Sequence, residues 1–180
     1  LIMLGLHQIL LDENDIAKAA RRPKITELKV SFSRDGFHWD RPFRDAFIPA
    51  TRTAGSWDRG YVQSVGGICT VVGDQLRFYY IGFRGDDSHS YMHSNGATGM
   101  AILRRDGFAS MSTTGEGSLT TRPVTFSGKY LFVNVNCPAG ELKVEILNKD
   151  NQVIENFSAD KCKSVAINST IQQVEWTDMS

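Results

Sequence analysis

Residue types able to hold or process a polar ligand gather in two stretches. Trp57-Asp58-Arg59 precedes a strand-like run in which Tyr61 and Gln63 stand two apart, so both fall on one face of an extended strand. Arg84, Asp86, Asp87 and His89 open a polar segment that runs from Arg84 to Gly99. An indole ring can lie on the apolar face of a sugar. An Asp–Arg pair can bond neighbouring hydroxyls, with the guanidinium fork fixing the geometry. The competing reading is a turn with a local ion pair and a Trp that belongs to the core. Hydrolysis of a glycosidic bond needs two carboxyl groups roughly 5–9 Å apart. Asp58 with Asp86 or Asp87 is the pair to test, and Asp58 is the best catalytic candidate. His89 and His93 have the spacing of metal ligands on one helix face. The Gly and Ser residues around them oppose a helix, so neither a metal nor another cofactor is expected. No serine sits in a G-x-S-x-G context, which leaves serine hydrolase chemistry without support.

Strands and turns must position these residues. Tyr61 to Val72 reads as one long apolar strand, with Gly66-Gly67 implying a bend or bulge. Gly73-Asp74 is a hairpin turn, and Leu76 to Phe83 is the return strand, dense in aromatic and β-branched residues. A hairpin returns the chain to where it began, so Trp57–Tyr61 and Phe83–His89 should share one edge of the sheet. Upstream, Leu1 to Leu11 is a buried strand or a short helix, and Ile16 to Arg22 could make one or two helical turns before Pro23. Ile25 to Phe32 is a further strand, alternating from Leu28 onward. Asp35-Gly36 then makes a tight turn, and Trp39 follows where a returning strand would bury a large aromatic. Residues 24–84 thus read as one four-stranded antiparallel sheet.

From Gly99 the pattern changes to many short strands with turn signals. These are Met100–Arg104, Phe108–Met111, Leu119–Phe126, Lys129–Asn136, Gly140–Leu147, Gln152–Phe157, Cys162–Ile167 and Ile171–Trp176. Such spacing predicts an antiparallel, jelly-roll-like β-sandwich that lacks its last one or two strands. The fold class expected is therefore all-β, with residues 1–98 forming one part and 99–180 the other.

Twenty acidic and twenty basic residues balance to a formal charge of zero, which gives no support to a nucleic-acid or anionic-membrane partner. No apolar run approaches the roughly 20 residues of a membrane span. Hydrophobic content of 41% is ordinary for a packed core. The three cysteines, Cys69, Cys137 and Cys162, have no metal spacing and define no disulfide framework.

Four segments occur in order: SFSRDGFHWDRP (31–42), GSWDRGYVQS (55–64), GDQLRFYYIGF (73–83) and AILRRDGFASM (101–111). The first resembles the Asp-box of sialidases and other sugar-processing β-propellers, as S-x-D-G-x-x-W. In that motif the aspartate holds the turn and the Trp packs between strands, so Asp35 is structural. Together the four resemble the C-terminal part of bacterial five-bladed propeller glycoside hydrolases, relatives of fructosidases and arabinanases with a fused β-sandwich. The resemblance implies a terminal propeller blade in residues 1–98, a sugar ligand at a channel mouth, and an extracytoplasmic location. It also implies further blades of the same protein, which carry most of the catalytic acids. This fragment alone would then be inactive. The alternative is a non-catalytic carbohydrate-binding or purely structural β-sandwich module.

Overall fold

A computed structural model of the chain describes residues 2–11, 24–66, 69–85 and 93–177. The expected helical turns over Ile16 to Arg22 lie outside the described residues, as do Asp86, Asp87 and His89. The protein is all-β. Its strands are β1 (Met3–Leu10), β2 (Thr26–Ser33), β3 (Tyr61–Ser64), β4 (Thr70–Val72), β5 (Gln75–Phe83), β6 (Gly96–Arg104), β7 (Leu131–Asn136) and β8 (Asn168–Val174). The chain divides into two compact units, Leu1–Leu103 and Arg104–Ser180.

In the first unit, β1 and β2 pair antiparallel from Met3↔Ser33 to Leu10↔Thr26. Of the segment Leu1 to Leu11, open between strand and helix in the sequence, Met3–Leu10 is therefore strand. The free edge of β2 meets the returning chain at Asp40, opposite Phe32, and at Ile48, opposite Leu28. A second sheet has β5 at its centre, with β3 and β4 pairing to it and β6 joining as a further partner. β3 pairs from Tyr61↔Phe83 to Ser64↔Tyr80, and β4 from Thr70↔Arg77 to Val72↔Gln75. From Ser64 to Thr70 the chain takes six steps while β5 takes three, from Tyr80 to Arg77. The long strand read from Tyr61 to Val72 is thus two strands on one edge, separated by a three-residue excess on either side of Gly66. Gly73, with φ of 56°, closes the β4–β5 hairpin in the left-handed region that glycine tolerates.

The sheets meet where β2 and β3 begin. Thr26 Oγ1 donates to Val62 O at 2.8 Å and accepts from Val62 N–H at 2.7 Å, and Gln8 Nε2 donates to the same carbonyl at 2.8 Å. A buried hydroxyl at this seam satisfies backbone groups that the ladder leaves open. Ile25, Leu28, Ile48, Val62, Leu76 and Phe78 form the buried core around it, with Phe47 edge-on to Phe78 at 5.0 Å.

The second unit is less regular. β7 and β8 pair antiparallel with a shift between Val133 and Val135. Isolated bridges join Leu142 to Val165, Leu147 to Val153 and Cys162 to Trp176. Trp176 is buried, its ring edge-on to Phe157 at 5.1 Å and its Nε1–H on Val144 O at 3.1 Å. Cys162 and Val174 pack with it, and all three cysteines are free thiols. Phe108–Met111 and Leu119–Phe126, read as strands, form none. Pro123 removes a ladder donor within the second of these, and Gly115 and Gly117 lie in the turn-forming stretch between the two. Met111, Leu119, Val124 and Phe126 are left at least two-thirds exposed.

Candidate functional site

The end of the second sheet gathers most of the candidate residues. Tyr61 pairs with Phe83, and Gly60 N–H reaches Phe83 O at 3.3 Å. Beyond β5, Arg84 N–H donates to Asn95 O at 3.3 Å and Gly85 N–H to Ser94 O at 3.0 Å, which closes the base of the polar segment. His93 returns there, its ring 4.9 Å from Tyr61 and 5.3 Å from Phe83, edge-on to the first. Tyr61 and Phe83 lie 5.7 Å apart, so three rings form one cluster. Read along the chain, His93 shows only a ligand-like spacing from His89, and its aromatic role depends on the register of β3 against β5. Gln63 lies two residues along from Tyr61 and is exposed, as is Arg84.

Trp57 leans on Tyr80, with ring centroids 5.3 Å apart. It also covers two glycines, where a side chain would collide: a Cβ on Gly82 would lie 2.7 Å from the indole, and one on Gly99 would overlap Cη2. Trp57 keeps 37% of its surface exposed. A braced, part-open indole is the result.

Asp58 is only 6% exposed. Its Oδ1 accepts from Thr51 Oγ1 at 2.9 Å and from Ser56 Oγ at 2.6 Å. Backbone bonds from Thr51 N–H to Asp58 O and from Arg52 N–H to Arg59 O, both 3.1 Å, fold the Thr51–Arg59 segment around it. Burial pushes the Tyr80 hydroxyl above its ordinary pKa, and the charge of Asp58 and a hydrogen bond to it add to the shift. The carboxylate is thus engaged by three hydroxyls and orders a turn. Arg59 beside it is half-buried. Tyr80 was not among the candidates, because its link to Asp58 spans two strands.

The Asp35 turn is built from backbone donors. Asp35 Oδ1 accepts from Phe37 N–H at 2.9 Å and His38 N–H at 2.8 Å. Ser33 Oγ accepts from Gly36 N–H at 2.8 Å, and Gly36 takes φ of 81°. His38 Nδ1 lies 2.7 Å from Asp35 Oδ2. The His38 backbone N–H first, then the His38 ring and the Phe37 N–H, hold the carboxyl well below the usual carboxylate range. Trp39 Nε1–H donates to Gly36 O at 3.0 Å.

No protein-family model matches the chain, and no curated protein or solved structure matches it. Among the described residues, no group of three or more His, Cys, Asp or Glu side chains could hold a metal ion. No helix among them is long and apolar enough to cross a membrane.

Proposed function

We propose that the chain contributes a carbohydrate-binding surface to a protein of the five-bladed propeller glycoside hydrolase type. Its own residues bind sugar and leave proton transfer to acids elsewhere in that protein. The observation that carries this reading is the braced, part-exposed indole of Trp57 on the Tyr80–Gly82 face of the sheet, with the ring cluster of Tyr61, Phe83 and His93 on the opposite face. An open indole of this kind suits the C–H face of a sugar ring, and the exposed Arg84 at the same end of the sheet supplies donors, while Gln63 lies on the Tyr61 face. Asp58 does not favour catalysis here. A general acid must reach the glycosidic oxygen within hydrogen-bond distance, whereas Asp58 is buried and already accepts two hydroxyl protons through one oxygen.

Titration of the chain with arabinotriose and with a fructose trisaccharide, followed by ligand-observed NMR, tests the reading. Saturable binding to one of them is expected, lost in Trp57→Ala at a temperature where that variant is still folded, and with no product released. Absence of binding to either sugar would overturn it. So would hydrolysis that Asp58→Asn abolishes.

A further inference from the structure

A second site lies on the other sheet of the first unit, and it goes beyond the sugar surface at Trp57. Paired residues of neighbouring strands share a face, and so do residues two apart on one strand. Gly5 pairs with Ser31 and His7 with Lys29, which puts all four on one face of the β1–β2 sheet. Trp39 and Arg41, also two apart, flank Asp40, the residue that bridges to Phe32 at the other edge of β2. A groove of about 400 Å³ opens there, lined by Gly5, Leu6, His7, Ser31, Trp39 and Arg41. That volume lies in the range of small-molecule sites.

The lining has a definite chemistry. The Trp39 ring lies over Gly5, where a Cβ would come within 2.7 Å of Cζ3, and 44% of the residue stays exposed. Its Nε1–H is already held by Gly36 O, so what Trp39 offers a ligand is apolar ring. Ser31 Oγ sits 3.4 Å from Gly5 O and 3.5 Å from His7 Nδ1. Burial first, then the nearby charges of Arg41 and Lys29, hold the His7 imidazole below its ordinary pKa, so it is neutral at pH 7. Lys29 spends its ammonium on Glu27 at 3.1 Å and on Arg44 O at 2.6 Å. Arg41 is half-buried and, among the described residues, forms no ion pair or hydrogen bond. A half-buried guanidinium in a groove, with its charge unanswered, calls for an anion.

We propose that this groove binds a small ring-bearing carboxylate, with the carboxylate on the Arg41 guanidinium, the ring against Trp39, and His7 and Ser31 at its polar edge. The planar fork of arginine matches a carboxylate through two parallel hydrogen bonds.

The test is titration of the chain by NMR with glucuronate, benzoate, acetate and glucose. Glucuronate separates a sugar acid from the aromatic acid benzoate, and acetate and glucose each lack one half of the proposed ligand. Glucuronate or benzoate should bind at least roughly ten-fold more tightly than acetate and glucose, as one charge-assisted contact or one stacked ring contributes. The His7 ring should titrate at higher pH when the site is filled, because a carboxylate beside it favours the imidazolium. Arg41→Gln removes a side chain without structural bonds and should weaken binding roughly ten- to a hundred-fold, with Arg41→Lys between. Arabinotriose binding at Trp57 should not change in Arg41→Gln, nor glucuronate or benzoate binding in Trp57→Ala, so the two sites fail separately. Equal affinity for glucose and glucuronate with no response to benzoate would overturn the proposal. Unchanged affinity in Arg41→Gln, or no saturation by either ring-bearing acid, would do the same.

Discussion

Trp39 and Trp57 sit in parallel settings with opposite electrostatics. Each indole lies over glycine of a neighbouring strand, and each is reached through a turn that an aspartate organises. At Trp57 the aspartate is inside: Asp58 is buried and takes its hydrogen bonds from side-chain hydroxyls. At Trp39 it is outside: Asp35 is exposed and takes backbone N–H groups. In both places the carboxylate is used up by the turn. What differs is the cation left behind. Beside Trp39, Arg41 is not answered by Asp35, whose second oxygen faces His38. An aspartate next to an aromatic ring is therefore no sign of an acid catalyst until its lone pairs have been accounted for.

The comparison can be broken at several points. The largest effect is expected from Gly99→Ala, because the new methyl would overlap the Trp57 ring. Overpacking of this kind costs about 3 kcal/mol, and urea unfolding should show a matching loss. A variant of wild-type stability would mean that Trp57 is not braced. Asp58→Ala strands two hydroxyls in a buried turn and should cost about 2 kcal/mol; a neutral result would free Asp58 for chemistry. Tyr80→Phe keeps the ring and removes only the hydroxyl, for a loss of about 1 kcal/mol. If its effect and that of Asp58→Ala simply add in the double variant, the two groups are not coupled.

The smallest effect is expected at the exposed turn. Asp35 has a depressed pKa in the folded chain. Its stabilisation is therefore complete well above the ordinary value of 3.8 and is lost as the pH falls below it. Asp35→Asn should lower the melting temperature near neutral pH, and the gap from wild type should narrow under acid. A constant gap from pH 7 to pH 2 would remove the charge from the explanation. The groove contributes a dependence of its own. The lowered His7 pKa means that folding favours the neutral ring, so stability should decline as the pH drops below about 6.5. His7→Gln should flatten that slope.

Local devices were legible in the sequence. The Asp35-Gly36 turn and the Gly73-Asp74 hairpin each depend on a few adjacent residues whose backbone needs are chemical. That Tyr61 and Phe83 share one end of the sheet followed from the hairpin, but their direct pairing did not, because the three-residue excess before β4 shifts the register. The groove was not legible. Gly5, His7, Ser31 and Arg41 lie on three separate segments, and only the register of β1 on β2 brings them to one face. The same limit explains the second unit. Alternation in Leu119–Phe126 shows which side chains could share a face, and it cannot show that a neighbouring strand exists to pair with. The link from Tyr80 to Asp58 was hidden for the same reason, since neither residue carries any local signal of the other.

The strand β5 lies between partners, with β3 and β4 on its register and β6 as a further neighbour, whereas residues 109–128 join no strand. In deuterium oxide this contrast becomes one of time. Amide protons of β5 should leave only when the sheet opens cooperatively, and those of residues 109–128 should be gone at nearly the pace of an unstructured peptide. One chain would then carry both the slowest and the fastest clocks of its own unfolding.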